Sequence, residues 1–186
     1  MRIIGGTHRG LTLADVGAGD PAAHLRPTSD RVREALFNIL QGGRFGDPIS
    51  NARVLDLFAG TGALGLEALS RGAAHATFVD DGKPAARLIR ENIRKTGRAA
   101  DTAVLALNAT QLPPNPGAAY DLIFLDPPYG QGLGLTALLC AQKTGWIARG
   151  ALIVWEENTP QPAPPGFTPR DSRRYGDTFI TLLTAP

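Results

Sequence analysis

From Val54 onward, short apolar runs alternate with segments of helical period. That alternation demands a parallel sheet flanked by helices, because parallel neighbours need long crossover connections. A strand at 54–58 leads to a helix at 63–71, with Gly72 placed to end it. A strand at 75–79 leads to a helix at 83–96 that Gly97 stops, and a weaker strand follows at 103–107. Strand 121–125, a helix near 133–143 and the run Ala151-Leu152-Ile153-Val154-Trp155 continue the series. The ending differs. Residues 173–175 and 178–183 flank Gly176-Asp177, a good two-residue hairpin turn, so the sheet should have seven strands with an antiparallel pair at its end.

Ahead of this core, Arg2-Ile3-Ile4 and Leu11-Thr12-Leu13 surround Gly5, Gly6 and Gly10, which predicts a small β-hairpin with His8 and Arg9 near its tip. Residues 14–27 are rich in Gly, Ala and Pro and read as a loop. Thr28 can cap the next helix, with Asp30 in its first turn where the dipole favours an acid. Val32, Leu36, Ile39 and Leu40 then share one face; Arg31 and Glu34 point away from it and Arg33 lies towards its edge. The whole of 1–186 is expected to be one domain, with 1–45 as a hairpin-helix extension of a 46–186 core. The five prolines in 160–169 belong to an internal loop, since the terminal hairpin completes the sheet.

A chain of 186 residues with 43% hydrophobic composition can bury one sizeable core. The formal charge of +2 gives no bulk argument for nucleic acid, so any basic face must be local. Cys140 is the single cysteine, which forbids an internal disulfide and fits a small buried hydrophobe. His8, His24 and His75 are scattered without ligand spacing, so no metal is expected. No apolar run approaches the ~18 residues of a membrane span, and Met1-Arg2-Ile3-Ile4-Gly5-Gly6 lacks a signal-peptide core, so the expected location is cytoplasmic.

Two strand ends carry chemistry. Val54-Leu55-Asp56-Leu57-Phe58 runs into Gly60-Thr61-Gly62-Ala63-Leu64-Gly65, a turn that brings backbone close to a ligand and aims helix N–H groups at it. Gly60 and Gly62 leave room for a cofactor, and Asp80, at the next strand's end and about 20 residues on, can accept from ribose hydroxyls. Asp56, Phe58, Asp126 and Asn108, the last following the third strand, complete the cofactor candidates. A nicotinamide or flavin dinucleotide fold shares these glycines, but it seldom carries an acid such as Asp56 within its first strand. The second strand end is Asp126-Pro127-Pro128-Tyr129, which has no role in hydride transfer. An exocyclic amine on a base is a poor nucleophile because its lone pair is delocalised into the ring. A carboxylate from Asp126 and the carbonyl of Pro127 can hold its two N–H bonds and turn the lone pair towards a methyl donor. Pro127 and Pro128 stiffen the corner, and Tyr129 offers a face for a base to stack on. A Gly-rich turn followed by an acid-Pro-Pro-aromatic corner is similar to S-adenosylmethionine-dependent methyltransferases that act on amino nitrogens.

The block Arg26-Pro27-Thr28-Ser29-Asp30-Arg31-Val32-Arg33-Glu34-Ala35-Leu36-Phe37-Asn38 closely resembles the signature of the RsmD family of bacterial rRNA methyltransferases. So do the N-terminal Met1–Gly6 run, the block from Val54 to Ala73, and 121–129. The resemblance implies a class I methyltransferase sheet and S-adenosylmethionine. It also implies methylation of the N2 amine of guanine 966 in 16S rRNA, within the small ribosomal subunit or a late assembly intermediate. Carried over, Arg26, Thr28 and Arg31 would border the substrate opening, and His8, Arg9 and Arg33 become candidates for RNA contact. A monomer is expected, with neither membrane nor metal. The nearest alternative is a DNA amino-methyltransferase, which this length disfavours because it leaves no room for a target-recognition domain. A protein-glutamine methyltransferase usually shows Asn in place of Asp126, and a pure RNA-binding module would need neither corner.

Overall fold

The computed structural model describes residues 1–14 and 30–186. Seven strands form one sheet in the order β3-β2-β1-β4-β5-β7-β6. They are β1 (Arg53–Leu57), β2 (His75–Val79), β3 (Thr102–Leu105), β4 (Tyr120–Leu125), β5 (Ile147–Glu157), β6 (Thr168–Tyr175) and β7 (Thr178–Thr184). The first five run parallel, and β7 enters antiparallel between β5 and β6. Among the described residues four α-helices accompany them: α1 (Asp30–Gln41), α2 (Ala63–Ser70), α3 (Lys83–Thr96) and α4 (Leu133–Lys143).

Strand alternation divides the core in two. Val54, Leu122, Phe124, Val154 and Leu182 pack on one face with apolar residues of α1, α2 and α3. Leu55, Leu57, Ile123, Leu125 and Trp155 pack on the other with Ala137, Leu138 and Ala141 of α4. Both faces of the central strands are covered, which is why they read as continuous apolar runs rather than alternating ones. α3 follows its sequence signals closely, with Pro84 in the first turn and Gly97 left-handed at φ 66° as its C-cap.

Three boundaries differ from expectation. The N-terminal hairpin is narrowed to one antiparallel bridge, Arg2 with Thr12, around a 3-10 turn at Gly6–His8. β5 extends through Glu157, because Glu156 and Glu157 find partners beyond the apolar run. β6 begins at Thr168 and takes in Pro169, which an edge strand tolerates; a register shift follows between Pro169 and Asp171. Thr28, the expected cap of α1, lies outside the described residues.

The N-terminal segment is tied to the core through buried polar groups. Glu67, fully buried on α2, accepts from the backbone N–H groups of Ile4 at 2.7 Å and Gly5 at 2.8 Å. It also pairs with Arg71 at 2.7 Å and faces the Arg33 guanidinium at 3.8 Å. Ser70 accepts from the His8 N–H at 2.9 Å and donates to the Gly5 carbonyl at 2.6 Å. Asn92 of α3 accepts from Ala14 N–H at 2.7 Å and donates to Thr61 O at 2.9 Å, so the base of the hairpin is fastened to the Gly-rich turn.

Candidate active site

Sheet order reverses at β1: the chain moves from β1 outward to β2 and β3, then returns to place β4 on the other side. Ligands in open α/β sheets bind outside the carboxyl ends of strands at such a point. Register aligns the strand ends, with Leu57 opposite both Val79 and Leu125, and Leu125 opposite Trp155. Asp80, the Gly-rich turn, the Asp126 corner and Glu156–Glu157 therefore follow one another along a single edge.

The turn after β1 is built for close approach. Phe58 is left-handed at φ 59°, an uncommon conformation for a non-glycine residue that is concentrated at functional sites. Gly60 and Gly62 are left-handed too, at φ 56° and 78°. Asp80 sits across from the turn, and its two carboxylate oxygens accept from Gly60 N–H at 2.9 Å and Gly82 N–H at 2.8 Å. Burial pushes the Asp80 carboxyl up, against the lowering effect of those two donors. Each oxygen keeps a further lone pair, so the carboxylate can accept from the two hydroxyls of a ribose diol.

Asp56 occupies a different place from a surface ligand. It is 1% exposed and accepts from Gly65 N–H in the first turn of α2 at 2.9 Å. Burial pushes its pKa up to about 8, opposed by the Gly65 hydrogen bond and reinforced by the charge of Asp80. A Cβ on Gly65 would meet the Phe78 ring at 2.5 Å, so α2 lies tight on the sheet and Asp56 holds the turn from beneath. Asn108 caps the 3-10 turn Ala109–Gln111, accepting from Thr110 N–H at 2.9 Å and its hydroxyl at 2.6 Å.

Asp126 leaves β4 with its N–H 3.4 Å from the Leu57 carbonyl, beside the Gly-rich turn. Pro127 is buried and Pro128 exposed. Tyr129 donates to Glu156 at 2.7 Å, and Gly130 N–H donates to Glu157 at 3.1 Å. Asn92, Glu156 and Glu157 have no sequence signature that separates them from other polar residues. Only the strand register gives the two glutamates a role at this edge.

The RNA candidates separate. Arg26 and Thr28 lie outside the described residues. Arg31 is exposed on α1. Arg33 must be withdrawn as an RNA contact: it is fully buried, pairs with Asp30 at 2.9 Å and donates to the Arg2 carbonyl. His8 and Arg9 flank the hairpin tip, which packs on Ser70 at the far end of α2, roughly 10 Å along the helix from the Gly-rich turn. That end lies by the start of β1, where Gly72 O accepts from Asn51 N–H, and so opposite the candidate site. The tip is thus remote from the Gly-rich turn, whereas the hairpin's base, at Met1 and Ala14, lies near it.

A seven-stranded sheet with this switch point, a Gly-rich turn after β1, an acid ending β2 and an Asp-Pro-Pro-Tyr corner ending β4 defines a class I methyltransferase, whose cofactor is S-adenosylmethionine. The family model described as Conserved hypothetical protein 95 matches residues 1–184. Ribosomal RNA small subunit methyltransferase D of Escherichia coli K12 is 40% identical over 156 residues, which cover 84% of this chain and 74% of that protein. The Haemophilus influenzae protein of the same name is 34% identical over 166 residues, covering 87% and 81%. The solved structure of yhhF from Escherichia coli, provisionally assigned as a methyltransferase, matches with a TM-score of 0.81 at 35% identity, covering 100% of this chain and 97% of that chain. The chain belongs to the RsmD family.

Proposed function

We propose that this protein methylates the exocyclic N2 amine of a guanine, position 966, in 16S rRNA of the small ribosomal subunit or a late assembly intermediate. The observation that carries the reading is the alignment of Leu57 with Leu125, which lays the cofactor turn directly beside the Asp126 corner. The names of the relatives supply the RNA class. Bound S-adenosylmethionine supplies an electrophilic methyl group on sulfonium.

This chain's own residues position the partners. Gly60, Gly62 and Asp80 hold the cofactor's methionine and ribose portions, with Asp56 fixing the turn through Gly65. A guanine turned out of its RNA surroundings stacks on Tyr129. Asp126 and the Pro127 carbonyl accept from its amine, aligning the lone pair for direct transfer. Good alignment can account for about 7–11 kcal/mol of barrier reduction. The nitrogen becomes acidic only once methylated, so Asp126 need not be a strong base.

The test is transfer of labelled methyl to unmethylated small subunits, naked 16S rRNA and DNA in parallel, with Asp126→Ala as control. Methyl-guanosine from subunits, lost in the variant while cofactor affinity changes by about tenfold at most, is the expected result. Label in DNA alone would replace this reading with a DNA amino-methyltransferase.

A further inference from the structure

β7 runs antiparallel to β5, and β6 antiparallel to β7, so β6 points the same way as β4 and β5. Its carboxyl end, Arg173-Arg174-Tyr175, therefore lies at the edge that carries Asp126 and Tyr129. The link is direct: Tyr175 is paired with Thr178, whose hydroxyl is 3.4 Å from the Tyr129 hydroxyl. Beside this strand end a groove of about 430 Å³ runs between α1 and β6, with Ala35, Asn38 and Ile39 on one wall and Arg173 and Tyr175 on the other. Arg44 also lines it. Arg31, exposed and one helical turn before Ala35, extends the α1 wall.

The chemistry of the groove is basic with aromatic surfaces interleaved. The Arg44 and Arg170 guanidiniums lie 5.8 and 6.0 Å from the centre of the Phe45 ring, whereas Arg174, paired with Phe179, stands on the opposite face of the sheet. Arg44, Arg170 and Arg173 are all exposed. The acids nearby are Asp171, which pairs with Arg44 and Arg173 at 2.9 Å each, together with the exposed Glu34 and Asp177. Four arginines, Arg31, Arg44, Arg170 and Arg173, against three carboxylates leave this flank positive. Arginines beside the Phe45 ring and the Tyr175 side chain suit a single strand of nucleic acid: phosphates take the charge, and ribose or base takes the ring.

We infer that this α1–β6 groove is a second RNA-contact surface, which holds the rRNA strand flanking the nucleotide presented to Asp126 and Tyr129. The inference rests on the rRNA reading above. It explains how a chain of low net charge grips a polyanion: the cations stand on one flank, continuous with the catalytic edge, and the hairpin tip has no part in it.

The test is Arg31→Ala combined with Arg170→Ala, two exposed residues outside the ion pairs of Asp171, with Arg31→Glu plus Arg170→Glu as a stronger variant. Subunit affinity should fall on the order of tenfold for the alanine pair, and the salt dependence of log affinity should lose about two units of slope. Cofactor affinity should stay level. A photocrosslinker installed at position 170 should label 16S rRNA. Unchanged subunit affinity and salt slope in both variants, or crosslinks to ribosomal proteins alone, would overturn the groove as an RNA surface. Wild-type protein that transfers no methyl to any RNA would instead overturn the substrate reading, and the groove's role with it.

Discussion

The Tyr129 hydroxyl donates a 2.7 Å hydrogen bond to Glu156, so the aromatic ring that ends the catalytic corner of β4 is held by the carboxyl end of β5. Burial, then the charge of Glu156, push the Tyr129 pKa upward, and the phenol remains a donor at any working pH. Ring position is thus set by a charge-assisted bond between adjacent strands rather than by the corner alone.

Two substitutions separate tether from ring. Tyr129→Phe keeps the stacking face but takes one donor from Glu156, which is only 5% exposed. Turnover should fall several-fold, for a loss of about 1–2 kcal/mol, with cofactor affinity unchanged. Tyr129→Ala should lose a further ~1–3 kcal/mol as the stacking face goes. The ratio kcat/KM for unmethylated subunits measures both; a Tyr129→Phe enzyme with wild-type kinetics would show that the tether is incidental.

Glu67 offers a test of how the N-terminal segment is held. Its buried carboxylate serves Ile4, Gly5 and Arg71 and faces buried Arg33. Glu67→Ala should cost about 3–5 kcal/mol, because it strips a buried cation of its counter-charge. Urea midpoints measure that cost, and amide exchange at Ile4 and Gly5 should rise well before global unfolding. Gly6→Ala should give the same local exchange signature from another cause. Gly6 has φ +75°, and a Cβ there would fall 1.8 Å from the Ser70 carbonyl oxygen. Protected Ile4 and Gly5 amides in both variants would mean that packing, not these contacts, holds the segment.

Much of this architecture was legible in the chain because local signals agreed with tertiary demand. α3 is bounded by Pro84 and Gly97 and obeys a helical period, while β1 and β4 are apolar on both faces because both faces are covered. The two corners were visible because glycine and proline constrain backbone wherever they occur. What stayed hidden depends on register and burial. Arg33 reads as half-exposed by helical spacing, yet Glu67 on α2 and the Arg2 carbonyl draw it fully inside. Glu156 and the arginines of β6 gain meaning only when the order β4-β5-β7-β6 sets them beside Tyr129. Asp56 stood out as an acid in an apolar strand, but its partner, Gly65, lies nine residues away across a turn.

That Asp56 contact makes stability depend on pH in a defined direction. Burial raises the carboxyl from 3.8 to about 8 in the folded protein, whereas an unfolded chain releases the proton near the ordinary value. Between those limits the folded state binds more protons, so this group's contribution is fully present below about pH 4 and is lost as pH climbs through about 8. The slope from one such group cannot exceed about 1.4 kcal/mol per pH unit. Asp56→Asn keeps an oxygen to accept from Gly65 N–H but has no proton to lose. Its stability should therefore be flatter across pH 5 to 8.5 (roughly the window of the linkage), close to wild type at the acid end and at or above it at the alkaline end. Urea unfolding across that range gives both curves. If the two ran parallel, Asp56 would titrate near its ordinary value, and the Gly65 hydrogen bond would be holding an ionised carboxylate beneath the cofactor turn.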